Sequence, residues 1–128
     1  LMCAICNGKA YGGGFLAAPE ADPADGWLDV FIVRKVGRLT IAKLLGVYKK
    51  GGHFVDGHLT KEAEPYFIHR RAKRVTLCPV DGRGPVIATA DGECAPCERV
   101  EAQLIPQAGR ILLPRPAYER FVKKHACV

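Results

Sequence analysis

The sequence lacks a long apolar run, a secretion signal and any internal repeat. No apolar stretch approaches the roughly 18 residues that a membrane-spanning helix needs. The first residues, Leu1-Met2-Cys3, are not the basic start and apolar core of a signal peptide. We therefore expect a cytoplasmic protein, and the absence of repeats excludes a repeat architecture.

A phosphate-binding loop of the P-loop kind is also missing. The triplet Gly12-Gly13-Gly14 would let the backbone cradle a phosphate group, but a P-loop needs Gly-Lys-Ser/Thr at the start of a helix. Here a strand-like run at 15–18 follows and ends at Pro19. We therefore expect the triplet to allow close contact with another segment or domain.

The composition is that of a single globular domain with a basic surface. The 128 residues are 48% hydrophobic and 25% charged, which suffices for a buried core. Nineteen basic against thirteen acidic residues give a net charge of +6, which suits phosphate groups, nucleic acid or an anionic membrane. Fourteen glycines and nine prolines favour short strands joined by turns. We predict a mainly β fold of the α+β class, with two packed antiparallel sheets.

Hydrophobic periodicity predicts one main helix and one short C-terminal helix. The main helix covers 37–50, and its apolar stripe, which we expect to face the core, consists of Ile41, Leu44, Leu45 and Tyr48. A shorter basic helix is predicted at 116–125.

Short apolar runs between glycines and prolines predict the strands. They lie at 1–6, 15–18, 27–33, 86–90, 99–105 and 110–113, with one or two more within 66–78. The segment 53–65 reads as a loop, in which His53 and His58 are candidate ligands or phosphate contacts, although loop histidines are more often solvated and we expect these two to be so.

The acidic tripeptide Asp91-Gly92-Glu93 is the first candidate catalytic site. If the strand before it continues, the two carboxylates share a face, because side chains two positions apart point the same way. A carboxylate close to another is harder to ionise, and one held on a strand end can accept a proton from a hydroxyl. Asp-Gly is also a common turn dipeptide, so a plain turn is the alternative.

Two further groups of charged residues are candidate binding sites. Asp22 and Asp25, in a turn-prone segment, suit a hard cation such as magnesium or calcium, with a solvated turn as the alternative. The basic run from Arg70 to Arg74 could dock on lipid head groups or nucleic acid, with a charged edge strand as the alternative. Few aromatic residues interleave with this run, so single-stranded nucleic acid is a weak candidate.

Six cysteines form two Cys-x-x-Cys pairs, Cys3/Cys6 and Cys94/Cys97, together with Cys78 and Cys127. Two such pairs can hold zinc, but these are separated by far more than the roughly 15 to 20 residues of a zinc ribbon. Scattered reduced thiols are our first interpretation for a cytoplasmic protein, and a zinc site or a redox pair remains the alternative.

The order of these motifs along the chain is more specific than any one of them. The motifs are Asn7-Gly8, Gly12-Gly13-Gly14, Ala18-Pro19, the segment 25–30, a helix ending in Gly51-Gly52-His53, Asp91-Gly92-Glu93 and Leu113-Pro114. This order resembles the C-terminal domain of the diacylglycerol kinase and sphingosine kinase family of lipid kinases, especially the soluble bacterial members. The resemblance implies a β-rich substrate domain at 1–114, followed by a basic tail at 115–128.

The resemblance also implies roles for the candidate residues. Asp91 would be the base that deprotonates the lipid hydroxyl, with Glu93 beside it. Asp22, Asp25 and the backbone carbonyl of Trp27 would hold a structural magnesium ion. The expected contacts to lipid or phosphate are Gly12, Gly13, Gly14, Arg70, Arg71, Lys73 and Arg74.

Members of that family carry an N-terminal domain that binds ATP through a Gly-Gly-Asp-Gly-Thr signature. This sequence contains no such signature, so ATP and its magnesium are expected to be bound by a domain that is absent from the chain. Joined to that domain, the chain would transfer phosphate from ATP to a membrane lipid hydroxyl such as that of diacylglycerol. Alone it should be inactive.

The expected location is peripheral, at the inner face of the membrane, with a homodimer as an open possibility and no nucleic acid as partner. Two alternative functions remain. One is a non-catalytic module that docks on anionic lipid, and the other is a zinc or dithiol module that uses the cysteine pairs.

Overall fold

In the computed structural model, residues 1–80 and 83–125 are described, apart from the side chains of residues 124 and 125. The elements are β1 (Met2–Cys6), β2 (Leu28–Val33), α1 (Arg38–Lys49), β3 (Phe54–Val55), β4 (His58–Leu59), β5 (Phe67–Ala72), β6 (Arg74–Leu77), β7 (Val86–Ala90), β8 (Glu93–Cys97), β9 (Val100–Gln103) and α2 (Arg115–His125). The predicted mainly β fold, with antiparallel sheets and two helices, is confirmed. Asp81-Gly82 and Cys127 lie outside the described residues.

The largest sheet is antiparallel and has the strand order β1-β2-β5. Strand β2 lies in the middle, where Phe31 is opposite Ala4 on one side and His69 on the other. A central strand with both faces covered favours a nearly continuous apolar sequence, as in Leu28–Val33. Asp29 is the exception, since it is a buried carboxylate within that strand.

Aromatic rings build the core beneath this sheet. Phe31 and His53 are its largest fully buried side chains. The His53 ring lies 5.2 Å from that of Phe31, 5.1 Å from Phe67 and 4.9 Å from Tyr48. The prediction that His53 is solvated is therefore wrong. Its Nε2 is 3.1 Å from the carbonyl oxygen of Ala17, which satisfies one ring nitrogen within the core.

The turn after α1 explains how His53 enters the core. Gly51 has a φ of 75°, so the chain leaves the helix in the left-handed region that favours glycine. A Cβ added to Gly51 would lie 2.8 Å from Cγ of Pro19. The missing side chain thus lets the helix end pack against Pro19 and directs the next residues under the sheet.

The main helix faces the core over only part of its predicted stripe. Tyr48 is buried and Leu44 is partly buried, whereas Ile41 and Leu45 are each 50% exposed. The predicted core orientation is therefore right for Leu44 and Tyr48 and wrong for Ile41 and Leu45, which lie to one side of the buried face. Neither helix in the described part of the chain is long and apolar enough to cross a membrane.

The other strands form three two-stranded antiparallel sheets, β3-β4, β6-β9 and β7-β8. The segment predicted as a loop at 53–65 contains the β3-β4 hairpin. The predicted run within 66–78 is two strands, β5 and β6, which pair with different partners. Among the described residues, none after Phe67 is buried.

Two predicted strands do not form. In the segment 15–18, Phe15 makes only an isolated bridge with Tyr11, after which Ala17 and Ala18 are buried as irregular chain. The bridge turns the chain back through the glycine triplet and leaves no straight segment to pair. The segment 110–113 is also irregular and has no strand partner within the described residues.

Candidate functional site

The acidic tripeptide lies at the tip of the β7-β8 hairpin. Ala90 pairs with Glu93, so Asp91 and Gly92 are the two residues of the turn. Their φ angles are 50° and 89°, and positive values at both positions are typical of the type I′ turns that join such strands. The interpretation of Asp-Gly as a turn is therefore right, and the expected continuation of the strand through Asp91 is wrong.

The turn leaves both carboxylates accessible. Asp91 and Glu93 are exposed, and within the described part of the chain neither carboxylate accepts a hydrogen bond or forms an ion pair. A proton acceptor must be within reach of the hydroxyl that it deprotonates. Because the two carboxylates lie at an exposed hairpin tip, the hydroxyl of a substrate held next to the hairpin can come within that reach. The catalytic role of the two residues stays a prediction.

The acidic loop before β2 is held together by its own carboxylates. The Asp22 carboxylate accepts a hydrogen bond from the backbone N–H of Ala24 at 3.0 Å. The Asp25 carboxylate accepts one from the backbone N–H of Trp27 at 2.9 Å, and its other oxygen pairs with the Arg71 guanidinium. These short-range bonds explain why the segment forms a tight turn.

This arrangement only partly fits the predicted magnesium site. Hard cations prefer several oxygen ligands, which Asp22, Asp25 and the Trp27 carbonyl could supply. Both oxygens of Asp25 are already engaged, however, and the positive charge of Arg71 stands where a cation would approach. A divalent ion would have to displace Arg71. The magnesium assignment stays a prediction.

The predicted lipid contacts in the basic run do not share one face. Arg71 lies on the same side of β5 as His69, whereas Arg70 lies on the opposite side, because side chains alternate along a strand. Arg74 donates a hydrogen bond to the Gln103 side chain at 2.7 Å and lies 3.6 Å from a Glu101 carboxylate oxygen. The structure therefore separates residues that the sequence alone groups together, and their lipid contacts stay predictions.

The glycine triplet is an open loop. All three of its residues have positive φ, and a Cβ added to any of them would meet no atom within 4 Å. The predicted close contact with another segment is therefore not made by any described residue of this chain. The positive φ angles of the triplet explain why glycine occupies these positions, whereas a lack of space for side chains does not.

An apolar cavity of about 320 Å³ lies between α1, β1 and the glycine loop. Its apolar lining is supplied chiefly by Met2, Phe15, Val33, Ile41, Leu44 and Leu45. Tyr11 and Tyr48 also line it, with their hydroxyl oxygens 3.2 Å apart. Burial, followed by the hydrogen bond with Tyr11, raises the pKa of Tyr48, which keeps its hydroxyl protonated as a donor. The half-exposed face of α1 thus forms one wall of this cavity.

A second cavity, also of about 320 Å³, lies between the β3-β4 hairpin and β5. His58, Glu64, His69 and Arg70 contribute its polar lining. Nε2 of His69 is 2.7 Å from a carboxylate oxygen of the buried Asp29. Sequence reasoning missed this pair, although a lone carboxylate within an apolar strand needs a partner and was the available signal.

The five cysteines that the structure describes are not gathered into a metal site. Within the described residues no three histidine, cysteine, aspartate or glutamate side chains lie where they could hold a metal ion. Burial raises the pKa of Cys3, and burial, together with Asp29 and Cys3, raises that of Cys6 to about 11. Both groups are therefore protonated thiols in the metal-free chain, whereas thiolates are the form that ligates metals.

Comparison with known proteins shows the family. Residues 1–113 match the YegS C-terminal NAD kinase beta sandwich-like domain, and the chain belongs to this family. It is 30% identical over 110 residues to two curated proteins named diacylglycerol kinase, from Mycobacterium tuberculosis strains CDC 1551 / Oshkosh and ATCC 25618 / H37Rv.

The aligned segment covers 85% of this chain and 31% of each relative, so the chain spans about a third of their length. No solved structure matches the chain. The resemblance to the diacylglycerol kinase family that the motif order indicates is thus confirmed.

Proposed function

We propose that this chain is the C-terminal domain of an ATP-dependent lipid kinase, in which it binds the lipid and supplies the proton acceptor. Family membership and the name of the two Mycobacterium tuberculosis relatives support this proposal. The observation that carries it is the exposed Asp91-Gly92-Glu93 turn in a chain of this family. A carboxylate without a partner in the described residues is free to meet a substrate hydroxyl.

Asp91 would accept the proton of the lipid hydroxyl as that oxygen attacks the transferred phosphate. Phosphoryl transfer depends mainly on positioning and on neutralising the charge of the phosphate oxygens. ATP, with its magnesium, would be held by a separate nucleotide-binding domain, so the chain alone would be inactive. Glu93, two residues away at the start of β8, would be a second carboxylate beside the substrate.

The apolar cavity beside α1 suits the aliphatic part of a lipid alcohol. Apolar side chains form most of its wall, and the exposed halves of Ile41 and Leu45 would lose water on binding. The paired hydroxyls of Tyr11 and Tyr48 offer a hydrogen-bond donor to an ester carbonyl. Arg34 and Lys35 also line the cavity, which favours a polar or anionic group at the same place.

The test is the substitution Asp91→Asn, which keeps the shape of the side chain and removes its charge. Turnover should fall by roughly 10² to 10⁴ fold, with nucleotide affinity nearly unchanged. The assay measures transfer of labelled phosphate from ATP to diacylglycerol in mixed micelles, with the chain joined to a nucleotide-binding domain.

Asp56→Asn is a matched control for this substitution. Asp56 and Gly57 form the turn of the β3-β4 hairpin, with φ angles of 51° and 78° that resemble those of Asp91 and Gly92. Its activity should stay within a few fold of the parent. Near-parental turnover of a folded Asp91→Asn protein would contradict the base assignment. Lipid binding without any phosphate transfer would favour the non-catalytic alternative.

A further inference from the structure

The single tryptophan of the chain lies close to two basic side chains. Trp27 is 38% exposed. The Arg71 guanidinium carbon is 5.6 Å from its ring centroid, and Nζ of Lys73 is 5.1 Å from it. Both distances are within the range of cation–π interaction. We call Trp27, Arg71 and Lys73 the Trp27 patch.

Hydrogen bonds hold the segments that carry these three side chains. Asp25 accepts a hydrogen bond from the backbone N–H of Trp27 and also pairs with Arg71, so the loop and β5 are connected through one carboxylate. The carbonyl of Lys73 accepts a hydrogen bond from Leu104 at 2.9 Å. The patch is therefore formed before any partner binds, and Arg71 and Lys73 are both exposed residues.

We propose that the Trp27 patch docks on the anionic head groups of a lipid bilayer. Tryptophan favours the membrane interface, where its apolar ring and polar N–H are both accommodated, and adjacent lysine and arginine are attracted to anionic lipid. The proposal rests on the proposed function in one respect, that the substrate resides in a membrane. It assigns Trp27 a role in docking in addition to the predicted backbone contact with magnesium.

A bilayer fits the patch better than nucleic acid does. Proteins that bind single strands stack successive bases on several aromatic side chains along a basic groove. Here one indole stands alone, and Arg71 and Lys73 already lie close to its ring. At a bilayer, the ring can enter the interface while the two cations remain at the level of the phosphates.

The experiment uses Trp27 fluorescence, because the chain has one tryptophan and any change in its emission reports on this patch. The full 128-residue chain is titrated with vesicles of phosphatidylcholine and phosphatidylglycerol in equal parts, and with vesicles of phosphatidylcholine alone. We expect a blue shift of the emission, with protection from acrylamide, only with the anionic vesicles. High salt should weaken the binding.

Lys73→Gln should weaken vesicle binding about fivefold, which corresponds to about 1 kcal/mol. Lys61→Gln is the matched control, since it removes one positive charge from an exposed lysine outside the patch. Its binding should stay within about twofold of the parent. Trp27→Phe, followed by vesicle sedimentation, should also weaken binding.

Three results would overturn the proposal. The first is anionic vesicle binding without any blue shift, and the second is an equal loss of binding in Lys61→Gln and Lys73→Gln, which would indicate net charge alone. The third is tighter binding to a single-stranded oligonucleotide than to the vesicles. None of these measurements involves phosphate transfer, so they are independent of whether Asp91 is the catalytic base.

Discussion

The two halves of this chain differ in how they are held together. Up to Phe67, an aromatic core packs the main sheet against the end of α1, with Phe31 and His53 fully buried. Beyond Phe67, the described residues form paired strands and a helix without a single buried side chain. Ile87, in the hairpin that carries Asp91, remains 64% exposed.

The two halves therefore suit different tasks. The first is suited to holding a ligand in place, and the second carries the candidate base, Asp91, at its surface. The first half can hold the apolar cavity beside α1 in fixed geometry, because close packing restricts its side chains. The second half presents Asp91 on a two-stranded hairpin, and such hairpins are only marginally stable by themselves. A catalytic carboxylate on such an element would need support from whatever covers the hairpin.

The largest expected change in the free energy of unfolding concerns two glycines that have similar φ angles but different surroundings. Gly51 and Gly92 have φ angles of 75° and 89°. Alanine at either position should cost about 1–2 kcal/mol, because a Cβ is strained in the left-handed region. At Gly51 that Cβ would also lie 2.8 Å from Cγ of Pro19, which should add about 1–3 kcal/mol.

Urea unfolding of Gly51→Ala and Gly92→Ala measures this difference. A Cβ at Gly92 meets nothing within 4 Å, so only the backbone cost should appear there. If Gly92→Ala were as destabilising as Gly51→Ala, the hairpin tip would be packed in solution. The contrast between the two halves would then be wrong.

Sequence reasoning predicted the periodic features of the packed half best. Strand β2 and helix α1 have apolar spacings that local rules recognise, and both form close to their predicted bounds. The burial of His53 was missed, because it depends on the turn at Gly51 and on rings distant in sequence. The Asp-Gly turn at 91–92 was an open alternative, because a dipeptide alone does not show whether a strand continues.

The pH dependence of the unfolding free energy should reveal the close packing of the first half, because His53 is buried in its core. Desolvation lowers the pKa of His53 from its ordinary value of 6.5, His69 lowers it further, and the hydrogen bond to Ala17 acts in the opposite direction. The unfolded chain therefore binds a proton that the folded chain resists. Stability present above about pH 6.5 should be lost as the pH falls toward the folded-state value, by at most about 1.4 kcal/mol per pH unit.

His53→Gln removes this titration and should flatten the dependence of the unfolding free energy on pH between about 7.5 and 5.5. His58→Gln, which changes an exposed histidine, is the matched control and should leave the slope as in the parent. Unfolding by urea at several pH values provides the comparison. An unchanged slope in His53→Gln would mean that this ring reaches solvent.

The smallest expected effect is the stabilisation by magnesium at Asp25, the residue that joins the acidic loop to β5. Because the Asp25 carboxylate pairs with Arg71, magnesium has to displace a guanidinium before it can bind. Arg71→Gln removes that competitor, so magnesium should raise the melting temperature of this variant more than that of the parent. At tenfold excess over its dissociation constant, the ion would add about 1.4 kcal/mol. Asp25→Asn introduced into Arg71→Gln should abolish the gain. If melts with magnesium and with chelator coincide in both parent and Arg71→Gln, the loop does not bind magnesium even without the competing guanidinium, and the predicted magnesium site is wrong.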